Sequence, residues 1–174
     1  MPNEIKVEQG SVDLDKSFHQ CFDSVAKERV HLGSVEAPPL EAIREFTEKA
    51  SEGRDARMFA VDRRQVVGWC DIFTTELPGF EHTGSLGMGV LQAYRRQGLG
   101  NRLARATIDI AWNEGLTRIE LEVFASNSAA IALYMELSFL REGLKRMARY
   151  IDGKYDDLLL MSLLREPPPN DEST

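Results

Sequence analysis

The stretch from Val90 to Asn101 constrains the fold more than any other part of the chain. It follows an apolar, glycine-rich run at 84–89 and leads into a helical pattern that begins near Leu99. This order predicts a strand, a tight turn with two glycines and the N-terminus of a helix. Such a turn exposes unpaired backbone N–H groups, and the helix dipole adds a partial positive charge there. Because Arg95 and Arg96 add further positive charge, the stretch predicts a binding site for a phosphate or pyrophosphate.

The length and the charge of the chain limit the classes of protein it can belong to. Its 174 residues suit a single domain that buries about two-thirds of its unfolded surface, assigned here to residues 1–166 with a flexible tail at 167–174. The formal net charge of −7 argues against non-specific binding of nucleic acid. With no apolar run of the ~18 residues that span a bilayer and no signal-peptide profile, we expect a cytoplasmic protein without membrane contact.

The cysteines and histidines do not form a metal-binding pattern. Cys21 and Cys70 are the only cysteines, and their separation is not that of a Cys-x-x-Cys pair, so we expect reduced, structural thiols. The three histidines, at positions 19, 31 and 82, are scattered without ligand spacing. The sequence therefore predicts no metal site.

Hydrophobic periodicity predicts strands that outnumber the helices, with helices between strands in the second half of the chain. The strands are expected at 5–8, 57–61, 66–73, 84–91, 117–124, from 139 and at 158–164, and the helices from about 13, at 40–51, from 99 to a stop at Gly115 and after Ser126 or Asn127. The turns are expected at 62–65 and 151–154. This pattern indicates an α/β or α+β domain with a mixed sheet covered by about four helices.

The loop also carries a family resemblance. Arg95-x-x-Gly98-x-Gly100 is similar to the cofactor-binding motif of the Gcn5-related N-acetyltransferases, the GNAT family. The resemblance implies a mostly antiparallel sheet of six to seven strands and a loop that holds the pyrophosphate of acetyl-CoA through backbone amides. It also implies that the strand near Val90 pairs with the pantetheine arm. Family members commonly have proline where this chain has Gln92, so the bend there is expected to differ slightly.

Two later segments extend this resemblance to about residues 57–164. Asn127 opens an alanine-rich turn, Tyr134 follows seven residues later, and Ser138 stands where the family usually has glycine. The segment from Glu142 to Met161 resembles the closing hairpin of ribosomal-protein, amino-acid and polyamine N-acetyltransferases. The cofactor-binding residues implied are Met88, Val90, Arg95, Arg96, Gln97, Gly98, Leu99, Gly100, Asn101, Asn127 and Tyr134.

The implied reaction is direct attack of an amine on the thioester of acetyl-CoA, used as a co-substrate without a metal. Tyr134 is the candidate acid that protonates the departing thiolate, although a core role at helical spacing is the alternative. Glu122 is the candidate base, with Asp71, Glu76 and Glu28 as the others. Glu28 and Asp71 are also the candidate ligands of a cationic acceptor.

Several alternatives stay open at this point. A non-catalytic acyl-CoA-binding or regulatory module on the same fold would bind CoA without releasing thiol, and a protein for another phosphorylated ligand would not bind CoA. The acceptor could be a small-molecule amine, such as an amino acid, a polyamine or an antibiotic-like amine, or a protein N-terminal amine. The sequence does not show whether the last hairpin or the tail forms a homodimer contact.

Overall fold

The structure, a computed structural model, describes residues 5–53 and 55–166. The predicted tail at 167–174 lies outside these residues. The strands are β1 (Lys6–Gln9), β2 (Ala56–Asp62), β3 (Gln65–Thr74), β4 (Thr83–Val90), β5 (Arg118–Phe124), β6 (Leu140–Ile151) and β7 (Lys154–Leu164). The α-helices are α1 (Asp15–Lys27), α2 (Leu40–Glu52), α3 (Leu99–Asn113) and α4 (Ser128–Glu136), with short 3₁₀ turns at Val12–Leu14 and Gln92–Tyr94.

The strands form one seven-stranded sheet in the order β1-β2-β3-β4-β5-β7-β6. β4 and β5 run parallel, and every other neighbouring pair is antiparallel. Both predicted tight turns are present, since Arg63 and Arg64 have positive φ between β2 and β3, and Asp152 and Gly153 have positive φ between β6 and β7. The predicted fold class, a mixed and mostly antiparallel sheet with four α-helices, is confirmed.

The helices divide between the two faces of the sheet. Helices α3 and α4 cover one face, where Leu103, Ile119 and Met161 belong to one buried apolar cluster. Helices α1 and α2 cover the other face, where a second cluster contains Phe18 and Trp69. The central strand β3 is covered on both faces, which is why seven consecutive residues of it are buried. Within the described residues, no helix is long and apolar enough to cross a membrane.

The helix ends follow the predicted stop signals with one exception. Gly115, at φ +89°, ends α3, as predicted. Ser138 takes the left-handed conformation after α4 at φ +71°, which glycine would adopt without steric cost. The exception is α1, which ends at Lys27 without a glycine directly after it, and Val30 beyond its end is 50% exposed.

Candidate active site

The central feature of the site is a gap in the sheet between β4 and β5. The two strands pair only at Thr83–Ser85 with Arg118–Glu120. Beyond this point β4 continues along β3 to Val90, and β5 continues along β7 to Phe124. The ends of β4 and β5 therefore diverge, although Gln92 replaces the usual proline. An extended ligand can enter this gap as an additional strand would.

Backbone groups of β4 face the gap without a strand to pair with. Leu91 donates its N–H to the Val67 carbonyl on β3 at 2.9 Å. Because successive residues of a strand point their polar groups in opposite directions, Met88 and Val90 direct theirs into the gap. The Val90 carbonyl accepts a hydrogen bond from Arg95 Nε at 2.8 Å. The N–H of Val90 and both polar groups of Met88 remain available for an amide-containing ligand.

The loop after β4 ends in a helix N-terminus with free donors. Gly98 precedes α3 in the left-handed conformation at φ +74° and has no side-chain cap. The first main-chain bond of the helix runs from the Arg102 N–H to the Gly98 carbonyl, so the N–H groups at 99–101 are free of intrahelical partners. At Gly100 an added Cβ would lie 3.1 Å from Leu133 Cδ2 and 3.3 Å from Met88 Cε. Glycine therefore allows α3, α4 and β4 to approach one another closely here.

The side chains around this N-terminus differ in what they contact. Arg96 is exposed and has no partner among residues 5–53 and 55–166, so it is available to an anion. The Gln97 amide bonds the Ala93 carbonyl at 3.1 Å. The Asn101 amide bonds Glu136 at 3.1 Å and accepts from Arg105 at 2.8 Å. Leu99 is buried in the core. Gln97, Leu99 and Asn101 can therefore offer a phosphate their backbone N–H rather than their side chains.

Asn127 and Tyr134 lie at the N-terminus and in the last turn of α4. Asn127 is the N-cap of α4, and its side-chain oxygen accepts the Ala130 N–H at 3.2 Å. Its amide nitrogen has no partner within the described part of the chain and remains a free donor. Asn127 is thus a helix cap that can also bind a ligand.

The ring of Tyr134 is buried beside Phe139, and its hydroxyl has no hydrogen-bond partner in the described part of the chain. Burial, with a smaller contribution from the Cys70 thiol, raises the pKa of Tyr134 above its ordinary value. The phenol therefore keeps its proton at neutral pH. Tyr134 is therefore a core residue with an unpaired hydroxyl among the described residues, and its role as the acid stays a prediction.

Glu122 lies on the opposite face of the sheet from Tyr134. Leu121 and Val123 belong to the same buried cluster as Tyr134, so Glu122 between them points to the α1 side. It is half exposed and forms an ion pair with Lys145 of β6. No local feature of the sequence predicts this lysine, because it reaches Glu122 across β7.

Asp71 is not available to an acceptor, and the prediction that it binds one is wrong. Its side chain is 4% exposed and forms a bidentate pair with Arg57, at 2.8 Å and 3.1 Å. The Arg57 guanidinium also bonds Thr47 and lies 4.2 Å from the centre of the Phe46 ring. Helices α1 and α2 cover this face of β3, so the carboxylate is part of the core.

Glu28 and Arg95, predicted to act separately on the acceptor and on the pyrophosphate, contact each other. Arg95 donates to both carboxylate oxygens of Glu28, at 2.6 Å and 2.9 Å. The guanidinium of Arg95, a predicted cofactor-binding residue, points to the end of α1 and is bonded there to Glu28. The fourth base candidate, Glu76, is exposed in the loop between β3 and β4. Among the described residues, no group of three or more acidic, histidine or cysteine side chains is placed to hold a metal.

The sheet thus opens beside the N-terminus of α3, and Tyr134 lies on the helix that follows β5. The chain belongs to the acetyltransferase (GNAT) family, whose sequence model matches residues 18–139.

Individual proteins agree with this assignment. The chain is 40% identical over 70 residues to the ribosomal protein bS18-alanine N-acetyltransferase of Escherichia coli, an alignment that covers 40% of this chain and 47% of that enzyme. It is 30% identical over 101 residues to the L-amino acid N-acetyltransferase AaaT of Escherichia coli, covering 58% and 62% of the two chains. The matched part is thus about half the length of the first relative. The structure of yncA from Salmonella typhimurium with its cofactor acetyl-CoA superimposes with a TM-score of 0.88 at 16% identity over 99% of this chain and 100% of that one.

Proposed function

We propose that this protein transfers the acetyl group of acetyl-CoA to a primary amine by direct attack on the thioester. The observation that carries the proposal is the gap between β4 and β5. Its unpaired groups at Met88 and Val90 connect the free N–H groups of α3 with the unpaired phenol of Tyr134. One continuous path therefore offers donors for a pyrophosphate, partners for amides and an acid.

The residues fit acetyl-CoA along this path. The N–H groups of the loop and of the first turn of α3, from Gln97 to Asn101, would hold the pyrophosphate, and Arg96 would add a cation beside it. Met88, Val90 and the Asn127 amide would hold the pantetheine amides. The bound thioester supplies the carbonyl carbon that the amine attacks. A backbone N–H of β4 near Val90 would then stabilise the negative charge that develops on the carbonyl oxygen.

The candidate acid and the candidate base lie on opposite faces of the sheet. Tyr134 would donate its proton to the leaving sulfur on the α4 side. Glu122 is our candidate for accepting the proton of the amine on the α1 side, directly or through water. Its pair with Lys145 leaves one carboxylate oxygen without a partner among the described residues. Of the base candidates, Asp71 is buried and Glu28 is bonded to Arg95. Glu122 lies on β5, which borders the gap, and is therefore our choice for the base.

For the acceptor we propose an amino group of an amino acid, either free or at a protein N-terminus. The support comes from the two curated relatives, one named for an alanine of a ribosomal protein and the other for L-amino acids. Polyamines and antibiotic-like amines are the other acceptors to compare.

The test combines calorimetric binding of acetyl-CoA with thiol release in the presence of an amine library. We expect binding in the micromolar range and thiol release with at least one amino acid or N-terminal peptide. Gly100→Val is the matched negative control, because its side chain would collide with Leu133 and Met88 and close the cofactor path. Binding without thiol release for any amine would favour the non-catalytic module. Absence of binding would refute the proposal and favour another phosphorylated ligand.

A further inference from the structure

The guanidinium of Arg95 is committed to contacts on the side of α1. Its Nε donates to the Val90 carbonyl at 2.8 Å, and its two terminal nitrogens donate to the two oxygens of Glu28. One terminal nitrogen also lies 3.2 Å from His31 Nε2. Four of the five N–H groups of an arginine are thereby used. The side chain is held by protein groups and is not a free cation for the pyrophosphate.

This pair joins two elements that are distant in the sequence. Glu28 follows the last turn of α1, and Arg95 lies 67 residues later in the loop before α3. Their side chains are 25% and 26% exposed, so the pair is better shielded from water than the neighbouring pair of Arg29 and Asp152, at 44% and 63%. A bidentate, half-buried pair holds its geometry more firmly than an exposed one.

The bond from Arg95 to the Val90 carbonyl links the pair of Arg95 and Glu28 to the gap in the sheet. It is the last polar group of β4 that points into the gap, and its bond with Arg95 Nε closes the row of free groups there. The next free group towards the thioester is the Val90 N–H. Arg95 therefore connects the backbone that would face the thioester with the end of α1, where Glu28 is a predicted acceptor ligand.

From these contacts we propose that Arg95 and Glu28 are positioning residues that couple acetyl-CoA binding in the gap to the placement of the end of α1, where the acceptor enters. The proposal rests on the proposed function. When the cofactor restrains the backbone at Val90, the bonds of Arg95 restrain Glu28 and the residues that follow it as well. Loss of either side chain then impairs use of the acceptor, while the backbone groups that hold the pyrophosphate are unchanged.

The first test measures amide hydrogen exchange of the full chain at residues 24–31 with and without CoA. In the wild-type protein CoA should slow this exchange by about three-fold or more, and in Arg95→Met it should not. Calorimetry on the same samples should give CoA dissociation constants that agree within about three-fold, since the pyrophosphate site is intact. Should CoA bind the wild type without slowing exchange at 24–31, the coupling is refuted while the proposed function stands. Failure of CoA to bind the wild type would instead refute the proposed function itself.

The second test is a double-mutant cycle on turnover. Glu28→Gln and Arg95→Met should each lower kcat/KM for the acceptor by about ten-fold, and the double variant should be no worse than either, because both changes remove one interaction. Arg95→Lys should recover only part of the loss, because lysine cannot bond Val90 and both oxygens of Glu28 at once. Lys27→Met is the matched control and should leave activity unchanged. Lys27 directly precedes Glu28, and its substitution removes only an exposed ion pair with Asp23. If the losses of the two single variants multiply in the double variant, Arg95 and Glu28 act independently and the coupling is refuted. If Arg95→Met instead weakens CoA affinity ten-fold with unchanged kcat, Arg95 is a phosphate ligand.

Discussion

Replacing Tyr134 by phenylalanine separates catalysis from stability more cleanly than any other single change in this site. The hydroxyl has no hydrogen-bond partner in the described part of the chain, so its removal leaves no donor or acceptor unsatisfied in the folded protein. The ring that packs against Phe139 is retained. The free energy of unfolding should therefore change by less than about 0.5 kcal/mol, whereas the hydroxyl that we propose as the proton donor to the leaving sulfur is lost entirely.

The expected kinetic loss follows from that chemical role. Proton transfer by a positioned acid contributes about 10²–10⁴-fold, so kcat should fall by a factor in that range, or about 3–5 kcal/mol in the activation free energy. Acetyl-CoA affinity should change little, because the ring and Asn127 remain. Burial raises the pKa of Tyr134, so in the wild-type enzyme this acid should cause no loss of activity below about pH 10, the ordinary pKa of a phenol.

The assay is thiol release at saturating acceptor, with calorimetric binding of acetyl-CoA and urea unfolding on the same preparations. Tyr155→Phe is the matched control, because this tyrosine is exposed at the tip of the last hairpin and the substitution is chemically identical. A Tyr134→Phe variant with kcat within two-fold of the wild type would refute the role of the phenol and leave Tyr134 a core residue only.

Two further predictions concern stability. Ser138→Gly should raise the unfolding free energy by about 1 kcal/mol, and the melting temperature by about 2–4 °C, because it relieves a left-handed residue at φ +71°. Calorimetric melting checks this, and a lower melting temperature would contradict it. Asp71→Asn should destabilise the protein by about 3–5 kcal/mol in urea unfolding, since it leaves the Arg57 guanidinium buried without its counter-ion. The kcat of its folded fraction should equal that of the wild type, and a selective loss of acceptor affinity would restore Asp71 as a substrate ligand.

The parts of the site that follow from local sequence were predictable. The run from Val90 to Asn101 has its structure because glycine, helix periodicity and strand pattern act over a few residues. The cap at Asn127 is equally local. Even the left-handed end of α4 follows from Ser138 standing where glycine is usual. Each of these depends on neighbours in the chain, which a single sequence displays.

The error at Asp71 came from register and burial, which are not local. A regular hairpin that starts from the pair of Asp62 and Gln65 would place Arg57 opposite Cys70. A bulge between Ala60 and Val61 shifts the register by one residue and places Arg57 opposite Asp71 instead. The two charges are thus paired across the strands under α1 and α2. The sequence contains no sign of the bulge.

The bond between Glu28 and Arg95 was unpredictable for a related reason. The sequence places Arg95 in the loop before α3, and Glu28 lies directly after the end of α1. Their meeting depends on how α1 crosses the sheet, which is decided by packing of Phe18 and Trp69 rather than by any pattern around either charge.

The opening between β4 and β5 divides the sheet into two units, one from the N-terminal part of the chain and one from the C-terminal part. Strands β1–β4 form one unit and β5, β7 and β6 the other, with main-chain pairing between them limited to three residues on each side. At the open end the units are joined by side chains, where Arg29 pairs with Asp152 and Arg149 donates to the Arg29 carbonyl. A molecule bound in the opening would supply main-chain-like bonds to both units. Such a ligand would add to the few main-chain bonds between the two units, so its binding should raise the free energy of unfolding of the protein.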